Sequence, residues 1–243
     1  MNWKPYLLFD AGGTLVFPNY GLTAQIAREG GIEVSEQELA ITHAQVFRDF
    51  DQSVAQEHRF PKIHYFPELF SRLTPDDKKV HAATELALQY DRQRSLWTST
   101  FSWVSDSLTH LAKLGYRMSV ISNSDGRVET ILDELGLREH FEIVIDSYLV
   151  GLEKPDRRIF ELALHELNLE PEQAIYIGDI FYVDVWGANQ AGVGAIHLDQ
   201  QGLYQGWVGA HISSVDELPR WLAQFDGNLP RELLYPVQDF EII

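Results

Sequence analysis

Acidic and small polar residues follow several short apolar runs of this sequence, and their types suit chemistry on a charged substrate. Asp10 follows one such run, Ser122 and Asn123 follow a second, and Asp179 follows a third. Lys154 stands directly before a proline, between the second and third of these positions. Carboxylates that meet beside a lysine call for a hard cation, and Mg²⁺ prefers oxygen ligands. The residue types therefore indicate phosphoryl transfer assisted by magnesium.

The side chains suggest a role for each residue of such a site. Asp10 is the candidate nucleophile toward phosphorus, and Lys154 would neutralise the oxygens of the transferring group together with the metal. Gly12 and Gly13 let backbone N–H groups approach a phosphate closely, and Ser122 adds a hydroxyl donor. We therefore expect a positive local field at this site.

These residues need strands that end at one edge of a sheet. The short apolar runs that are predicted to be buried strands are Tyr6 to Phe9, Met118 to Ile121, Ile143 to Ile145, Ala174 to Ile177 and Ala195 to Leu198. From position 101 onward the runs alternate with amphipathic segments that end on glycine. This alternation predicts an α/β fold with a Rossmann-like parallel sheet and helices on both faces. Open sheets of this kind bind ligands at the carboxyl ends of their strands.

Residues 18–98 lack that alternation and show helical signals throughout. Ser35 followed by Glu38 forms a capping box before one helical face. We therefore predict an all-helical cap domain at 18–98, placed over the carboxyl edge of the sheet. The α/β core domain is predicted to comprise 1–17 and 99–243, with an irregular tail at 226–243.

Aromatic and histidine side chains of the cap are its candidate substrate contacts. They are His58, His64, Tyr65 and Phe66. The alternative is that they form the small core of the cap, because aromatic residues between helices usually pack together.

The segments FDAGGTL (9–15), ISNS (121–124), EKPD (153–156) and GDIFYVD (178–184) resemble the four ordered motifs of the haloacid dehalogenase-like superfamily. The likeness extends over the whole core. The position of the helical insertion resembles the branch whose cap lies between the first and second motifs. The resemblance implies a hydrolase that forms a covalent intermediate on an aspartate.

The resemblance also implies a set of ligands for Mg²⁺. Asp10 would be both nucleophile and ligand, and Asp179 a second ligand. Asp184 would be an outer acid that orients the metal, and Gly12 would offer its backbone carbonyl.

A second set of residues would bind the transferring group. Ser122 and Asn123 would hold it, with the Gly13 backbone beside them, and Lys154 would offset its charge and that of Asp10. Thr14 would steady the loop of the nucleophile. A small phosphorylated metabolite is the expected substrate.

Position 12 departs from the family pattern. Family phosphatases usually carry a second Asp two residues after the nucleophile, which protonates the leaving group, and here Gly12 takes its place. Because positioned acid–base groups contribute typically ~10²–10⁴-fold, we expect reduced or atypical activity, favouring substrates with good leaving groups. A proton carrier from elsewhere would be the alternative, with Asp125 and Tyr20 as candidates.

Three other functions remain open at this point. A 2-haloacid dehalogenase would attack carbon with Asp10, although family dehalogenases usually have Tyr at position 12 and lack the Gly178-Asp179 pair. A phosphonate hydrolase would need a cap lysine, for which Lys62 is the candidate. Gly12 also suits a protein that binds a phosphorylated metabolite or a protein partner with little turnover.

Composition limits the partners and the location. Lys+Arg 19 against Asp+Glu 36 gives a formal net charge of −17, which disfavours nucleic acid and anionic membranes. The sequence has no cysteine, no leader-like N-terminus and no run near the roughly 20 apolar residues that span a bilayer. We expect a cytoplasmic enzyme that is a monomer or a homodimer.

Overall fold

The computed structural model describes residues 4–225 and 230–236. The chain divides into two compact units, with boundaries after Phe17 and after Ser99. The core unit contains the chain before and after these boundaries, and the second unit is the segment between them. No helix in the described ranges has both the length and the apolar character needed to cross a bilayer.

The described strands of the core unit form a six-stranded parallel sheet. The strands of the structure are β1 (Tyr6–Phe9), β2 (Phe17–Pro18), β3 (Trp97–Ser99), β4 (Met118–Ser122), β5 (Val144–Asp146), β6 (Ala174–Gly178), β7 (Gly194–Leu198) and β8 (Ala210–Ile212). The sheet has the order β5-β4-β1-β6-β7-β8, and β2 pairs with β3 where the chain leaves and rejoins the core unit. The strands predicted from the apolar runs are confirmed, whereas the edge strand β8 was not predicted.

Helices follow the strands in the order that the sequence predicts. They are α1 (Tyr20–Glu29), α2 (Glu36–Glu57), α3 (Tyr65–Ser71), α4 (Asp77–Gln93), α5 (Ser102–Lys113), α6 (Val128–Glu134), α7 (Ser147–Val150), α8 (Arg157–Leu167), α9 (Gly187–Gln190), α10 (Leu218–Ala223) and α11 (Arg231–Leu234), with a π-helix at Phe181–Trp186. Every residue of β1, β4, β6 and β7 is buried. Strands buried on both faces are typical of a parallel sheet with helices on each side, which confirms the predicted fold class.

The pairing register of the central strands brings their carboxyl ends together. Phe9 of β1 is opposite Val120 of β4 and opposite Ile177 of β6. The residues that follow on the three strands therefore lie at one edge of the sheet, as the sequence predicts for Asp10 and Asp179.

The second unit is helical and has a hydrophobic core of its own. Helices α1 to α4 bury one face each, and side chains such as Leu39, Phe70 and Ala83 fill the space between them. The predicted capping box at the start of α2 is confirmed, because the Ser35 hydroxyl accepts from Glu38 N and the Glu38 carboxylate accepts from Ser35 N. Phe66 belongs to the core of this unit, so packing explains its position.

The C-terminal segment differs from the irregular tail that the sequence predicts. Residues 226–229 and 237–243 of that prediction lie outside the described residues, but α11 is a short helix within it. The Asn189 side chain donates to Leu234 O over 2.9 Å, and the Tyr235 hydroxyl donates to Gly192 O over 3.0 Å. The described part of the segment therefore docks on the core unit, one of the two destinations that its apolar residues suggest.

Candidate active site

The candidate catalytic residues meet at the carboxyl ends of β4, β1 and β6. Asp10 directly follows β1, Ser122 is the last residue of β4, and Asp179 directly follows β6. Asp10 and Ser122 are buried, and Asp179 is half-buried. The sequence prediction that these side chains share one edge of the sheet is confirmed by the strand order.

Lys154 lies between two of the carboxylates. Its Nζ donates to Asp10 Oδ1 over 2.6 Å, to Asp184 Oδ1 over 2.7 Å and to the Tyr176 hydroxyl over 2.8 Å. The Tyr176 hydroxyl in turn donates to Ile121 O. Burial lowers the pKa of the Lys154 ammonium, but the Asp10 and Asp184 carboxylates outweigh it and raise the pKa above its usual value. Lys154 is therefore a buried cation with all three of its N–H donors in use.

Burial and the repulsion between neighbouring carboxylates disfavour the charged forms of the acids in this cluster. Burial raises the pKa of the Asp10 carboxyl to about 6, since the opposing attraction of Lys154 is partly cancelled by Asp184. Burial together with the charges of Asp10 and Asp184 raises the pKa of the Asp179 carboxyl well above its usual range. Both shifts have the cause expected of acids that share a poorly solvated site. A bound cation would favour the charged form of each.

Two glycines allow the backbone to approach the carboxylates closely. A Cβ at Gly13 would lie 2.1 Å from Asp179 Oδ2, and φ at Gly13 is +81°. A Cβ at Gly178 would lie 2.4 Å from Asp184 Cγ. Any larger residue would therefore displace a carboxylate at either position.

The acidic cluster fits a hard divalent cation. Ligand atoms from Asp10, Asp179 and Asp184 all lie within 4.8 Å of one another. Asp179 Oδ1 is buried and has no hydrogen-bond partner among the described residues. An uncompensated buried carboxylate oxygen is costly unless it is paired or binds a metal. The donor set of carboxylate oxygens suits Mg²⁺.

Asp184 has partners of its own within this cluster. It lies in the π-helix, a rare form that occurs often at functional sites. Its Oδ1 accepts from Lys154, and its Oδ2 accepts from Ile180 N over 2.9 Å. The geometry therefore favours an orienting role for Asp184, through Lys154, over a place among the closest metal ligands.

Asn123 and Thr14 have contacts that the sequence does not show. The Asn123 amide donates to Lys154 O over 2.9 Å, and its carbonyl oxygen accepts from Lys154 N over 2.8 Å. Both ends of the side chain therefore hold the Lys154 main chain. The Thr14 hydroxyl is buried and has no hydrogen-bond partner in the described parts of the chain.

Three further residues contact the site, and sequence reasoning missed them. The Tyr176 hydroxyl accepts from Lys154 Nζ. Tyr176 lies within β6, and in the sequence it is only part of an apolar run. His197 contacts Asp179 O with its Nε2 atom over 2.9 Å, and Gln200 donates to Gly13 O over 2.7 Å. A polar residue inside or just after a buried strand is the signal that would have identified His197 and Gln200.

The candidate proton carriers have other partners. Arg127 binds the Asp125 carboxylate with its Nε over 2.9 Å and, through this hydrogen bond, lowers the pKa of that carboxyl. Asp125 is thus held as a carboxylate, which does not suit an acid that donates a proton. Tyr20 is the first residue of α1, and its ring lies edge-on to His43 in the second unit.

The proposed cap contacts have structural roles within the second unit. His58 is the left-handed C-cap of α2, with φ of 53°. His64 is the N-cap of α3, and its backbone N donates to Glu68. The Tyr65 hydroxyl is 2.8 Å from His43 Nδ1. Sequence reasoning missed His43, which is buried and surrounded by aromatic rings.

The fold and the acidic cluster define a class of hydrolase, and comparison with known proteins agrees. The family model of haloacid dehalogenase-like hydrolases matches residues 6–192, and the chain belongs to that family. This result confirms the resemblance carried by the four motifs.

Individual relatives are similar over most of the chain. Haloacid dehalogenase-like hydrolase domain-containing protein 3 from Mus musculus is 34% identical over 183 residues, which is 70% of each chain. Glyceraldehyde 3-phosphate phosphatase from Methanopyrus kandleri is 29% identical over 96% of this chain and 97% of its own. The crystal structure of a HAD phosphatase from Thermococcus onnurineus covers 99% of this chain and 100% of its own, with a TM-score of 0.55 and 21% identity, and so shares the fold.

Proposed function

We propose that this protein is a magnesium-dependent phosphatase that acts on a small phosphorylated metabolite through an aspartyl-phosphate on Asp10. The observation that carries the proposal is the buried Asp10 carboxylate, held 2.6 Å from Lys154 Nζ beside the carboxylates of Asp179 and Asp184. Relatives named glyceraldehyde 3-phosphate phosphatase support phosphoric monoester hydrolysis.

The proposed reaction has two displacements at phosphorus. The Asp10 carboxylate attacks the phosphorus atom, and the ester P–O bond breaks with its electron pair going to the leaving oxygen. Water then attacks the phosphorus of the aspartyl-phosphate, and the bond between phosphorus and the Asp10 oxygen breaks with its electron pair returning to the carboxylate. Inorganic phosphate leaves with the oxygen of the water, and the proton of the water passes to the phosphate or to solvent. Both steps gather negative charge on the phosphoryl oxygens, so the site needs positive charge beside Asp10.

Several residues would hold the cation and the phosphoryl group. Asp10, Asp179 and the Gly12 carbonyl are the proposed Mg²⁺ ligands, with Asp184 orienting the site through Lys154. When bound, Mg²⁺ neutralises charge on the transferring group and favours ionised carboxylates around it.

The phosphoryl oxygens would be bound by donors at the ends of β1 and β4. The Ser122 hydroxyl and the backbone around Gly13 and Thr14 are the proposed donors. Lys154 offsets the charge of Asp10. Asn123 acts through Lys154, because its amide group holds the Lys154 main chain on both sides.

Gly12 shapes the proposed choice of substrate. It has no side chain to protonate the leaving oxygen, and Asp125 is paired with Arg127. Leaving groups that depart without a proton, such as aryl, acyl or anhydride oxygens, therefore suit the site best. The helical second unit is the proposed cap that selects among them, on the ground of its insertion between β2 and β3.

Phosphate release from an aryl phosphate tests the proposal. The wild type, Asp10→Asn and the exposed control Asp133→Asn should be assayed with Mg²⁺ and with a chelator. We expect Mg²⁺-dependent release by the wild type and by the control, and none by Asp10→Asn. Equal release by Asp10→Asn would contradict the proposal.

Gly12 also favours a second candidate, a protein that binds a phosphorylated ligand with little turnover. The variant Gly12→Asp separates the two. In a phosphatase it supplies the acid–base group and raises the hydrolysis of alkyl phosphates by ~10²–10⁴-fold. In a binding protein it leaves turnover at the background level.

A further inference from the structure

One segment at the end of β7 contacts two of the loops that build the acidic cluster. The segment runs from His197 to Gln200, and we call it the β7 brace. His197 Nε2 lies 2.9 Å from Asp179 O, and Gln200 Nε2 donates to Gly13 O over 2.7 Å. Asp179 follows β6 and Gly13 lies in the loop after β1, so the brace adds side-chain contacts to two loops that the pairing of β1 with β6 already places side by side.

The strand register explains how His197 reaches Asp179. His197 of β7 is opposite Gly178 of β6, the residue directly before Asp179. Because a carbonyl oxygen accepts hydrogen bonds, His197 must carry its proton on Nε2 to bond Asp179 O. The bond holds the main chain of Asp179 and leaves its carboxylate available.

The surroundings of His197 fix the orientation of the ring. His197 Nδ1 lies 3.0 Å from His211 Nδ1 on the neighbouring strand. The ring of Tyr204 lies edge-on at 4.3 Å between centroids, and that of Phe181 at 5.5 Å. The imidazole is thus packed against aromatic rings and lies beside His211, so it presents Nε2 to Asp179 in one direction.

The two loops held by the brace also touch each other. A Cβ at Gly13 would lie 2.1 Å from Asp179 Oδ2, so the Asp179 carboxylate lies against the Gly13 backbone. A shift of either loop would therefore move this carboxylate relative to Asp10. Meanwhile Asp179 Oδ1 has no hydrogen-bond partner in the described part of the chain, so no direct bond to that atom sets its direction.

We propose that His197 and Gln200 are positioning residues of the cation site, which hold the Asp179 and Gly13 main chains in contact and so aim the Asp179 carboxylate at the cation bound by Asp10. The inference rests on the proposed function, since it concerns the same cation. Groups that orient metal ligands from behind typically contribute ~10–100-fold to metal affinity.

Binding of Mg²⁺ alone to the full chain tests this role without any turnover. Isothermal titration calorimetry should compare the wild type with His197→Phe, His197→Gln and Gln200→Met. We expect His197→Phe to weaken Mg²⁺ binding by ~10–100-fold, and His197→Gln to recover most of it because its side-chain amide supplies an N–H. Gln200→Met, which keeps the shape of the side chain, should weaken binding by ~2–10-fold.

A matched control separates positioning from packing. Trp207 packs on Phe181 and Tyr204 in the same aromatic cluster. Trp207→Phe should lower the unfolding temperature and leave the affinity for Mg²⁺ unchanged. In the double variant of His197→Phe with Gln200→Met, the combined loss should be smaller than the product of the single losses, because both residues hold one contact.

The outcomes distinguish this inference from the proposed function. If the wild type and His197→Phe bind Mg²⁺ equally and Asp179→Asn does not, the magnesium site is supported and the proposed positioning role of the β7 brace is wrong. If the wild type itself binds no Mg²⁺, both the magnesium site and the brace are overturned. If His197→Phe does not fold, Gln200→Met carries the test, and wild-type affinity in that variant overturns the proposal.

Discussion

Two clusters, the acidic cluster of the core unit and the cluster around His43 in the second unit, bury polar groups in opposite ways. In the core unit, buried Lys154 bonds the carboxylates of Asp10 and Asp184, with Asp179 close by. In the second unit, His43 is buried among aromatic rings with the Tyr65 hydroxyl 2.8 Å from its Nδ1. Burial lowers the pKa of His43 to about 3, so this histidine is neutral at ordinary pH.

The difference separates a site from a core. In the His43 cluster, the imidazole Nδ1 and the Tyr65 hydroxyl form a neutral hydrogen bond, which is how a folded interior accommodates a polar side chain. The acidic cluster keeps a buried carboxylate oxygen without a partner among the described residues. Such an arrangement is costly without a ligand. We therefore place the chemistry at the acidic cluster and a structural role at His43.

The largest expected effect comes from removing the buried cation. Lys154→Met leaves Asp10 and Asp184 without their ammonium partner, and breaking a buried ion pair from one side typically costs ~3–5 kcal/mol. Turnover should also fall by ~10²–10³-fold, as for the loss of a group that stabilises transition-state charge. Urea unfolding and phosphate release measure the two effects.

The exposed Lys113→Met is the matched control for that experiment. It changes the same residue type near the end of α5 and should leave both quantities close to wild type. If Lys154→Met retained wild-type stability and turnover, the account of the acidic cluster would be wrong.

Gly13→Ala tests the close approach of backbone and carboxylate. The new Cβ would displace the Asp179 carboxylate, and a misplacement of about 1 Å can cost ~10²-fold in rate. Gly136→Ala is the control, because Gly136 has φ of +68° and no atom within 4 Å of an added Cβ. Both variants should lose stability from backbone strain, but only Gly13→Ala should lose turnover. Equal turnover in the two would contradict the proposed role of this contact.

His43 gives a pH dependence of stability in the second unit. Its pKa is about 3 in the folded chain and ~6.5 when unfolded, so the unfolded state binds the proton first as pH falls. The contribution of neutral His43 to the free energy of unfolding is therefore fully present above about pH 6.5. Below that pH it declines by up to ~1.4 kcal/mol per pH unit. His43→Phe should flatten the acid side of the profile in urea unfolding between those limits.

His197 contributes in the same direction, because burial also lowers its pKa to about 3. The variant His43→Phe should therefore reduce the acid slope without abolishing it. The surface variant His165→Gln controls for the change in composition. An acid slope identical in the wild type and His43→Phe would show that His43 is not buried in the neutral form.

The smallest effect is expected at an exposed ion pair whose N–O distance equals that between Lys154 and Asp10. Arg117 binds Glu142 through two hydrogen bonds of 2.6 and 2.7 Å, but the side chains are 58% and 41% exposed. Glu142→Gln should cost less than ~1 kcal/mol and leave turnover unchanged. A loss as large as that of Lys154→Met would mean that burial does not explain the difference between the pairs.

The sequence predicts the parts of this molecule that depend on local patterns. The apolar runs predict five of the six described strands in the sheet, and the acids after them predict Asp10 and Asp179 at one edge. Ala210–Ile212 was missed because its middle residue is His211, so the segment is not an apolar run. Long-range contacts were missed for a different reason. Gln200 meets Gly13 across 187 positions, and only the folded sheet brings the two together.

Side-chain roles were predicted less well than positions. Asn123 was expected to bind the transferring group, but its side chain bonds the Lys154 main chain. Asp184 was expected to be an outer acid that orients the metal, and the sequence did not show that its two oxygens bond Lys154 and Ile180 N. Residue type gives the possible partners of a side chain, whereas the loop geometry around β4 and β6 decides among them.

Trapping the covalent intermediate tests the central claim most directly. The full chain should be mixed with an aryl phosphate and Mg²⁺, quenched in acid, and mapped by peptide mass spectrometry, with Asp10→Asn alongside. Because Gly12 supplies no base for the hydrolytic water, we expect the intermediate to accumulate. The account predicts one added phosphoryl group on the peptide that contains Asp10, absent from the variant. Phosphate release with no label on that peptide, or a label that persists in Asp10→Asn, would contradict it.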